Sequence, residues 1–455
     1  MRHPPDARSL ALDALDALER RDAYAEAVLD AVLSRHPELP PRDRALASHL
    51  VYGVLRWRNR LDWHLRRASS RPLERIHPRL LQVLRLGVYQ ILFLDRVPDR
   101  AAVHESVALA RRAGLGHACG FANAVLRRVA SRGRSEPLPR DPRRRLSLLF
   151  GIPEWLVERW SAEHGPEGAE VLCRAAARIP TLWLRIDPRR ISREEALAEL
   201  RRDGIEAFPG AFGPEAVGLT GAGDPRQVPL VRRGAALVQD QASQLVAHWL
   251  APEPGWHILD ACAAPGLKAT HLLALAGSEA EVTALEIHPH RARAIAALGE
   301  RLGCRGLFPV AADARTFACR RAFDAALVDA PCSGLGVLAR TPEAKWRRRE
   351  SDLVELPPLQ LAILERAAEA VRPGGVLVYA TCTTLRAENE AVVAAFLAKH
   401  PDYAPDPPPP GPVAWGELVG PDGFLRTYPG PATGAGARAL DGFFAARLRR
   451  KGPAR

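Results

Sequence analysis

At 455 residues, 47% hydrophobic and 25% charged, the chain has the composition of an ordinary globular protein and is too long for one compact core, so two or three domains are expected. Lys and Arg number 64 against 52 Asp and Glu, a net +12 that favours an acidic partner, nucleic acid first among them. No apolar run reaches transmembrane length and the start "MRHPPDARSLALDAL" lacks a signal-peptide pattern, while seven cysteines without a CxxC pair argue against a disulfide framework or a zinc site; the expectations are a cytoplasmic compartment, no membrane and no metal.

Up to about Ser131 the pattern is helical throughout. Leu10, Leu12, Leu15 and Leu18, then Ala25, Val28, Leu29 and Val32, recur at three-and-four spacing, and "RDRALASHLVYGVLRWRNRLDWHLRRA" and "HPRLLQVLRLGVYQILFL" repeat the theme. A bundle of six or seven helices over residues 1–131 is predicted. Between Leu126 and Leu146, eight Arg stand against Glu136 and Asp141 in a stretch broken by Pro and Gly, which reads as a basic linker, either a solvated tether or a phosphate contact. "TLWLRIDPRRISREEALAELRRDGIEAFPG" reads strand, helix, short strand, so residues 132–234 are assigned to the linker and a small α+β module. Its Arg185, Arg189 and Arg190 are candidates to grip nucleic-acid phosphates, contacts that would make binding salt-dependent. Trp155, Trp160 and Trp183 read as core residues.

From about residue 235 to 450 strands alternate with helices. "WHILDA", "EVTALEI", "GLFPVAAD", "FDAALVDA" and "GGVLVYATC" are the predicted strands, and such alternation implies a parallel, doubly wound sheet with ligands at the carboxyl ends of its strands. "DPPPPGP" and "YPGPATGAGARALDG" are predicted loops.

"ILDACAAPGLKATHLLAL" is a strand, a tight turn and a helix, in which backbone N–H groups and a helix N-terminus can approach a ligand. Asp260, Glu286 and Asp313 close three successive strands. There is neither GxGxxG nor GxxxxGK[ST], so a dinucleotide and a P-loop nucleotide are poor matches. Strand-end acids without a phosphate cradle suit S-adenosylmethionine, with Glu286 on the ribose hydroxyls and Asp313 toward the adenine amine; such acids also serve as plain helix N-caps.

Two further strands each end in a thiol, at "DAPC" and at "TC". Methylating carbon 5 of a cytosine requires a thiolate to add at carbon 6, a carboxyl group to hold ring nitrogen 3 and the exocyclic amine, and a second group to assist elimination. Asp329, Cys332 and Cys382 supply that set, whereas Cys119, Cys173, Cys304 and Cys319 read as small buried hydrophobes and Cys262 as a packing or pocket-lining residue.

"DACAAPGLK", "VDAPCSGLG" with "KWRRR" downstream, and "YATCTTLRAENEAVV" resemble, in order, the motifs of the Nol/Nop/Sun family of RNA cytosine-carbon-5 methyltransferases, and "DGFFAARLRRK" resembles that family's closing strand. "DRALASHLVYGVLRWRNRLDWHL", "LRLGVYQILFL" and "VHESVALAR" resemble the RNA-binding fold of the NusB antitermination factor. Together they imply a multidomain protein: an all-α NusB-like bundle, a small α+β module, and a Rossmann-like α/β methyltransferase domain. The resemblance makes Cys382 of the Thr-Cys motif the attacking thiol and gives Cys332 the resolution of the adduct. DNA cytosine methyltransferases attack instead with the Cys of a Pro-Cys motif. It also implies a cofactor site of Cys262, Ala263, Ala264, Pro265, Gly266, Leu267, Lys268, Glu286, Asp313 and Asp329, with Lys268 assisting Asp329. RNA, small-subunit ribosomal RNA in particular, is the implied partner and a monomer the default state; a tRNA or other RNA substrate, or a non-catalytic RNA-binding factor, are the alternatives. Two departures stand out. Leu267 occupies a position that is usually Gly in the family, where a required positive φ would strain it, and Glu286 stands where Asp is more frequent.

Overall fold

The computed structural model describes residues 6–20, 23–133, 136–221, 224–277, 279–319, 321–429 and 437–452. Two positions of the basic linker (134–135) and the centre of the Gly-rich loop (430–436) lie outside these residues. The chain divides into two compact units, Met1–Ile179 with Leu338–Arg347, and Pro180–Val337 with Arg348–Arg455.

The first unit is helical: α1 Ala7–Arg20, α2 Ala25–Leu33, α3 Pro41–Ala68, α4 Pro78–Phe93, α5 Asp99–Arg112, α6 Cys119–Arg132, α7 Pro142–Phe150 and α8 Glu154–Ala176. Pro41, Pro78 and Pro142 open their helices at a position where a missing N–H costs nothing. The spaced apolar residues form one core, with Leu10, Leu15, Leu50, Leu61, Val83, Leu84, Val125 and Leu126 nearly inaccessible. Beneath it Arg85 makes a buried two-pronged pair with Asp62, at 2.7 and 2.8 Å. Helices α7 and α8, expected on sequence with the mixed module, fall in this helical unit. The same unit takes in residues 338–347, far away in sequence. Lys345, fully buried, donates to the Arg56 carbonyl at 3.0 Å; Trp346 Nε1 donates to the Leu55 carbonyl at 2.5 Å; and the Ala25 N–H donates to Glu343 at 2.9 Å.

The second unit begins with a small antiparallel sheet. Strands β1 Leu182–Ile186, β2 Glu206–Pro209, β3 Ala216–Thr220 and β4 Ala236–Val238 order as β2-β3-β1-β4, with α9 Arg193–Arg202 and the single turn α10 Pro229–Arg232. A capping box between Ser192 and Glu195 starts α9. The large sheet follows: α11 Gln241–Leu250, β5 His257–Asp260, α12 Leu267–Ala276, β6 Glu281–Glu286, α13 Pro289–Leu302, β7 Leu307–Ala311, β8 Phe323–Asp329, the helical turn α14 Ala344–Arg347 that joins the first unit, α15 Asp352–Ala370, β9 Val371–Thr381, α16 Glu390–Lys399, β10 Tyr403–Pro405, β11 Leu425–Thr427 and β12 Phe443–Arg450.

Its order is β10-β12-β9-β8-β5-β6-β7, with β11 paired to β12. The five predicted strands are present and parallel, β9-β8-β5-β6-β7. The sheet as a whole is mixed rather than purely parallel, because β12 runs antiparallel to β9 and carries β10 and β11 antiparallel to itself. Apolar clusters lie on both faces, one including α11 and α12, the other α15 and α16. The chain travels outward from β5 through β6 and β7, then returns to place β8 and β9 on the opposite side of β5. That reversal opens a crevice at the carboxyl ends of β5 and β8.

Candidate active site

The crevice is lined first by the turn between β5 and α12. Ala261 N–H bonds the Leu327 carbonyl and Ala263 N–H the Leu285 carbonyl, both at 2.9 Å, so the turn is pinned to both neighbouring strands. Gly266 closes it at φ +100°, where a Cβ would meet Ile295 and Leu298 at 3.2 and 3.3 Å; only glycine fits this left-handed position. Leu267 is the first residue of α12, and Ala251 is the only described non-glycine residue with positive φ, so the expected strain at Leu267 is absent: the demanding conformation belongs to Gly266. Pro265 is exposed, Ala263 and Gly266 are buried, and Ala264 and Cys262 half-buried. Burial and the surrounding carboxylates push the Cys262 thiol far up, as suits a packing residue and not a nucleophile.

The acids behave differently from one another. Asp260 is wholly buried with neither carboxylate oxygen hydrogen-bonded; burial, then the charge of Asp329, pushes its pKa up to about 7. Glu286, at the end of β6, accepts from the His288 N–H at 2.9 Å. Asp313, two residues past β7, is half-buried and forms a forked pair with Arg315 (2.6 Å at the shortest), which holds its carboxyl below the usual range. An unbonded buried carboxylate, a glycine cradle and two strand-end acids fit a cationic nucleoside cofactor such as S-adenosylmethionine. Ile287, 55% exposed directly after Glu286, adds an apolar surface for a base.

The reactive groups converge at the ends of β8 and β9. Lys268 Nζ donates to Asp329 at 2.6 Å, and lies 5.3 Å from the Phe443 ring centre. Burial pulls the lysine down, but the charge and hydrogen bond of Asp329 outweigh it, and a thiolate at Cys382 adds to the effect, so the ammonium is held above its ordinary value. Cys332 and Cys382 stand 3.2 Å apart, sulfur to sulfur, and the Cys382 N–H points at Cys332 Sγ at 3.4 Å. The hydrogen bond to Cys382, then burial, push the Cys332 thiol well up, so Cys332 keeps its proton.

A buried polar network fixes both thiol-bearing loops. Glu388 accepts from Ser333 N–H (2.8 Å), Ser333 Oγ (2.5 Å) and Gln360 Nε2 (2.9 Å), while its own carbonyl accepts from Tyr379 at 2.6 Å. Ser333 also meets Thr383 at 2.9 Å, and Asn389 bonds Thr381 and Thr383. Gly336, pressed against the carbonyls of Gly442 and Cys382, ties the loop after Cys332 to the one after Cys382. Glu388 and Asn389 sit in the quoted "RAEN" segment, but their role was not legible because their partners lie up to 55 residues away.

Other expectations are corrected. Arg185, taken for a phosphate contact, is buried and bonded inside the protein to Gln239, Leu267 and Thr270. Arg189 pairs with Asp187 and Arg190 with the carbonyls of Arg233 and Leu302, and both side chains remain partly exposed, so the expectation for these two stands untested. Cys173 is buried and Cys119 and Cys304 half-buried, but Cys319 is exposed, not a core filler. Trp160 and Trp183 are core residues and Trp155 is half-buried. Among the described residues Glu215, His248 and His271 have the composition of a metal site, with donor atoms within 4.8 Å. The 2.8 Å contact of His248 Nε2 with Glu215 is a hydrogen bond, and the nearby Arg185 charge helps burial push His271 down to about 3, so the group has the character of a buried polar brace.

Comparison with known proteins gives a consistent result. Residues 247–449 match the family described as 16S rRNA methyltransferase RsmB/F, residues 5–131 the NusB family, and residues 152–225 the RsmF/B-like ferredoxin-like domain. The probable ribosomal RNA small subunit methyltransferase B of Bacillus subtilis is 39% identical over 88% of this chain and 90% of its own. The ribosomal RNA small subunit methyltransferase B of Xylella fastidiosa is 38% identical over 90% and 92%. The crystal structure of PH0851 superposes with a TM-score of 0.83 at 24% identity over 99% of this chain and 100% of that one. That of NSun6 from Pyrococcus horikoshii with SFG gives 0.59 at 22% over 66% and 99%; both likenesses concern the fold.

Proposed function

Because this chain belongs to the ribosomal RNA small subunit methyltransferase B family of S-adenosylmethionine-dependent enzymes, we propose that it methylates carbon 5 of a cytosine in 16S rRNA through a covalent Cys382 adduct. The observation that carries the reading is the pair of sulfurs 3.2 Å apart beside the Lys268–Asp329 pair. A binding module has no use for two apposed thiols, nor for a buried lysine aimed at a strand-end aspartate.

Cys382 Sγ adds to carbon 6, and the electron pair displaced from the 5,6 double bond makes carbon 5 nucleophilic. Asp329, held in place by Lys268, takes ring nitrogen 3 and the exocyclic amine and so stabilises the adduct. S-adenosylmethionine, when bound, supplies an electrophilic methyl group. Asp260, the Cys262–Lys268 turn, Glu286 and Asp313 would hold it, and Ile287 would offer an apolar surface to it. A base from solvent takes the proton from carbon 5, the freed electron pair re-forms the 5,6 double bond and the sulfur–carbon bond breaks; Cys332, 3.2 Å from Cys382, stabilises the departing thiolate with its own S–H.

The target cytosine must be splayed out of any helix to reach these sulfurs. The helical unit offers basic side chains for the surrounding phosphates, among them Arg100 and Arg127, which line an open groove on α5 and α6.

The test is a denaturing gel of protein with 16S rRNA and S-adenosylmethionine. Cys332→Ala is expected to trap a protein–RNA band and Cys382→Ala to give none. The reverse pattern would exchange the two roles. Absence of both crosslinking and methyl transfer would favour a binding factor.

A further inference from the structure

The small sheet of the second unit has a second task besides any contact with RNA. Arg185 lies in β1 with buried neighbours Leu184 and Ile186 and is itself almost inaccessible. Its guanidinium donates to the Leu267 carbonyl at 2.5 Å, to Thr270 Oγ1 at 3.1 Å and to Gln239 Oε1 at 2.5 Å. Leu267 and Thr270 form the first turn of α12, the turn that begins at Gly266 and carries Lys268. One turn further on, His271 is fully buried with no hydrogen-bond partner at either ring nitrogen, 3.8 Å from Glu215 of the loop before β3; Glu215 in turn is hydrogen-bonded to His248. The small module therefore grips α12 at its first turn, through Arg185.

We infer that Arg185 is a positioning residue of the cofactor site: by holding the first turn of α12 it fixes the Gly266–Leu267 N–H groups and aims Lys268 at Asp329. A charged donor suits the task. It satisfies Leu267 and Thr270 together, and its delocalised charge tolerates burial that an ammonium would resist. The inference rests on the reading of residues 262–268 as part of the cofactor site.

The test uses the full-length protein. Arg185→Met keeps the length and removes the donors; Arg185→Lys restores one cationic donor; Arg226→Ala, an exposed residue of the same module, is the control. S-adenosylmethionine affinity is measured by calorimetry and KM for cofactor and RNA separately, beside a thermal melt. Arg185→Met is expected to weaken cofactor binding and raise its KM on the order of ten- to a hundredfold, the range for losing hydrogen bonds from a charged donor. KM for RNA should stay within about twofold, well inside the factor set by one such bond, with partial recovery in Arg185→Lys and no change in Arg226→Ala. A lower melting temperature with unchanged cofactor affinity would overturn the proposal and leave Arg185 a core residue. Glu286→Ala and Asp313→Ala separate the two readings. If they abolish binding while Arg185→Met does not, the positioning role alone fails; if they too leave binding intact, the cofactor site itself is misplaced.

Discussion

Asp260 shows how far one side chain can depart from what its type suggests. With both oxygens unbonded in a closed site and a pKa raised from 3.8 to about 7, the folded protein holds its proton more tightly than the unfolded chain does. Its contribution to stability is therefore greatest below about pH 4, declines as pH rises toward 7, and is flat above that. Asp260→Asn, which mimics the protonated form, should melt above the wild type by a margin that grows from pH 5 to pH 8, reflecting a difference on the order of a few kcal/mol at the upper end. A margin independent of pH would show that the group titrates normally. The same substitution should weaken binding of the cationic cofactor. Residue types and their strand-end positions made Asp260, Glu286, Asp329, Cys332 and Cys382 legible in the sequence. Arg185 was misread because a lone arginine in a strand looks like surface charge, although Trp183, two residues earlier and so on the same face of the strand, hinted that this face too is buried.

Among the elements, the five parallel strands were readable as apolar runs bounded by turns, and each lies within a few residues of its expected bounds. The shortest, β4, β10 and β11, have three residues each and no period to detect. The closing strand β12 was recognisable, but its direction was not, because pairing is set by tertiary contacts rather than by local pattern. What holds the ends of β8 and β9 in register was equally hidden: the Glu388 carboxylate joins elements separated by 28 and 55 residues. Glu388→Ala would leave the Ser333 N–H without an acceptor, at a cost of about 1–3 kcal/mol, and would leave the Ser333 hydroxyl and the Gln360 amide with only Thr383 and the Pro331 carbonyl. A marked fall in melting temperature is expected, together with loss of the covalent band in a Cys332→Ala background. Retention of that band would mean that the thiol loops keep their places without the network.

On the scale of the whole molecule, the sequence read as consecutive domains, whereas the helical unit is discontinuous. Residues 338–347 follow the Cys332 loop in the chain yet complete the helical unit, with Lys345 and Trp346 donating to the mid-helix carbonyls of Arg56 and Leu55 in α3. A fragment ending at residue 179 is thus expected to melt at lower temperature than the same unit in the intact chain, and a synthetic peptide of residues 338–347 added in trans should restore part of the difference; a fragment indifferent to the peptide would show that the insertion is only a passenger. The arrangement also bears on the order of events during synthesis. At about 5–20 residues per second, the ribosome delivers this last piece roughly ten to thirty seconds after the eighth helix has been made. The domain translated first is the one that must wait, without the Lys345 and Trp346 donors to its α3 helix, until four of the large sheet's eight strands have emerged.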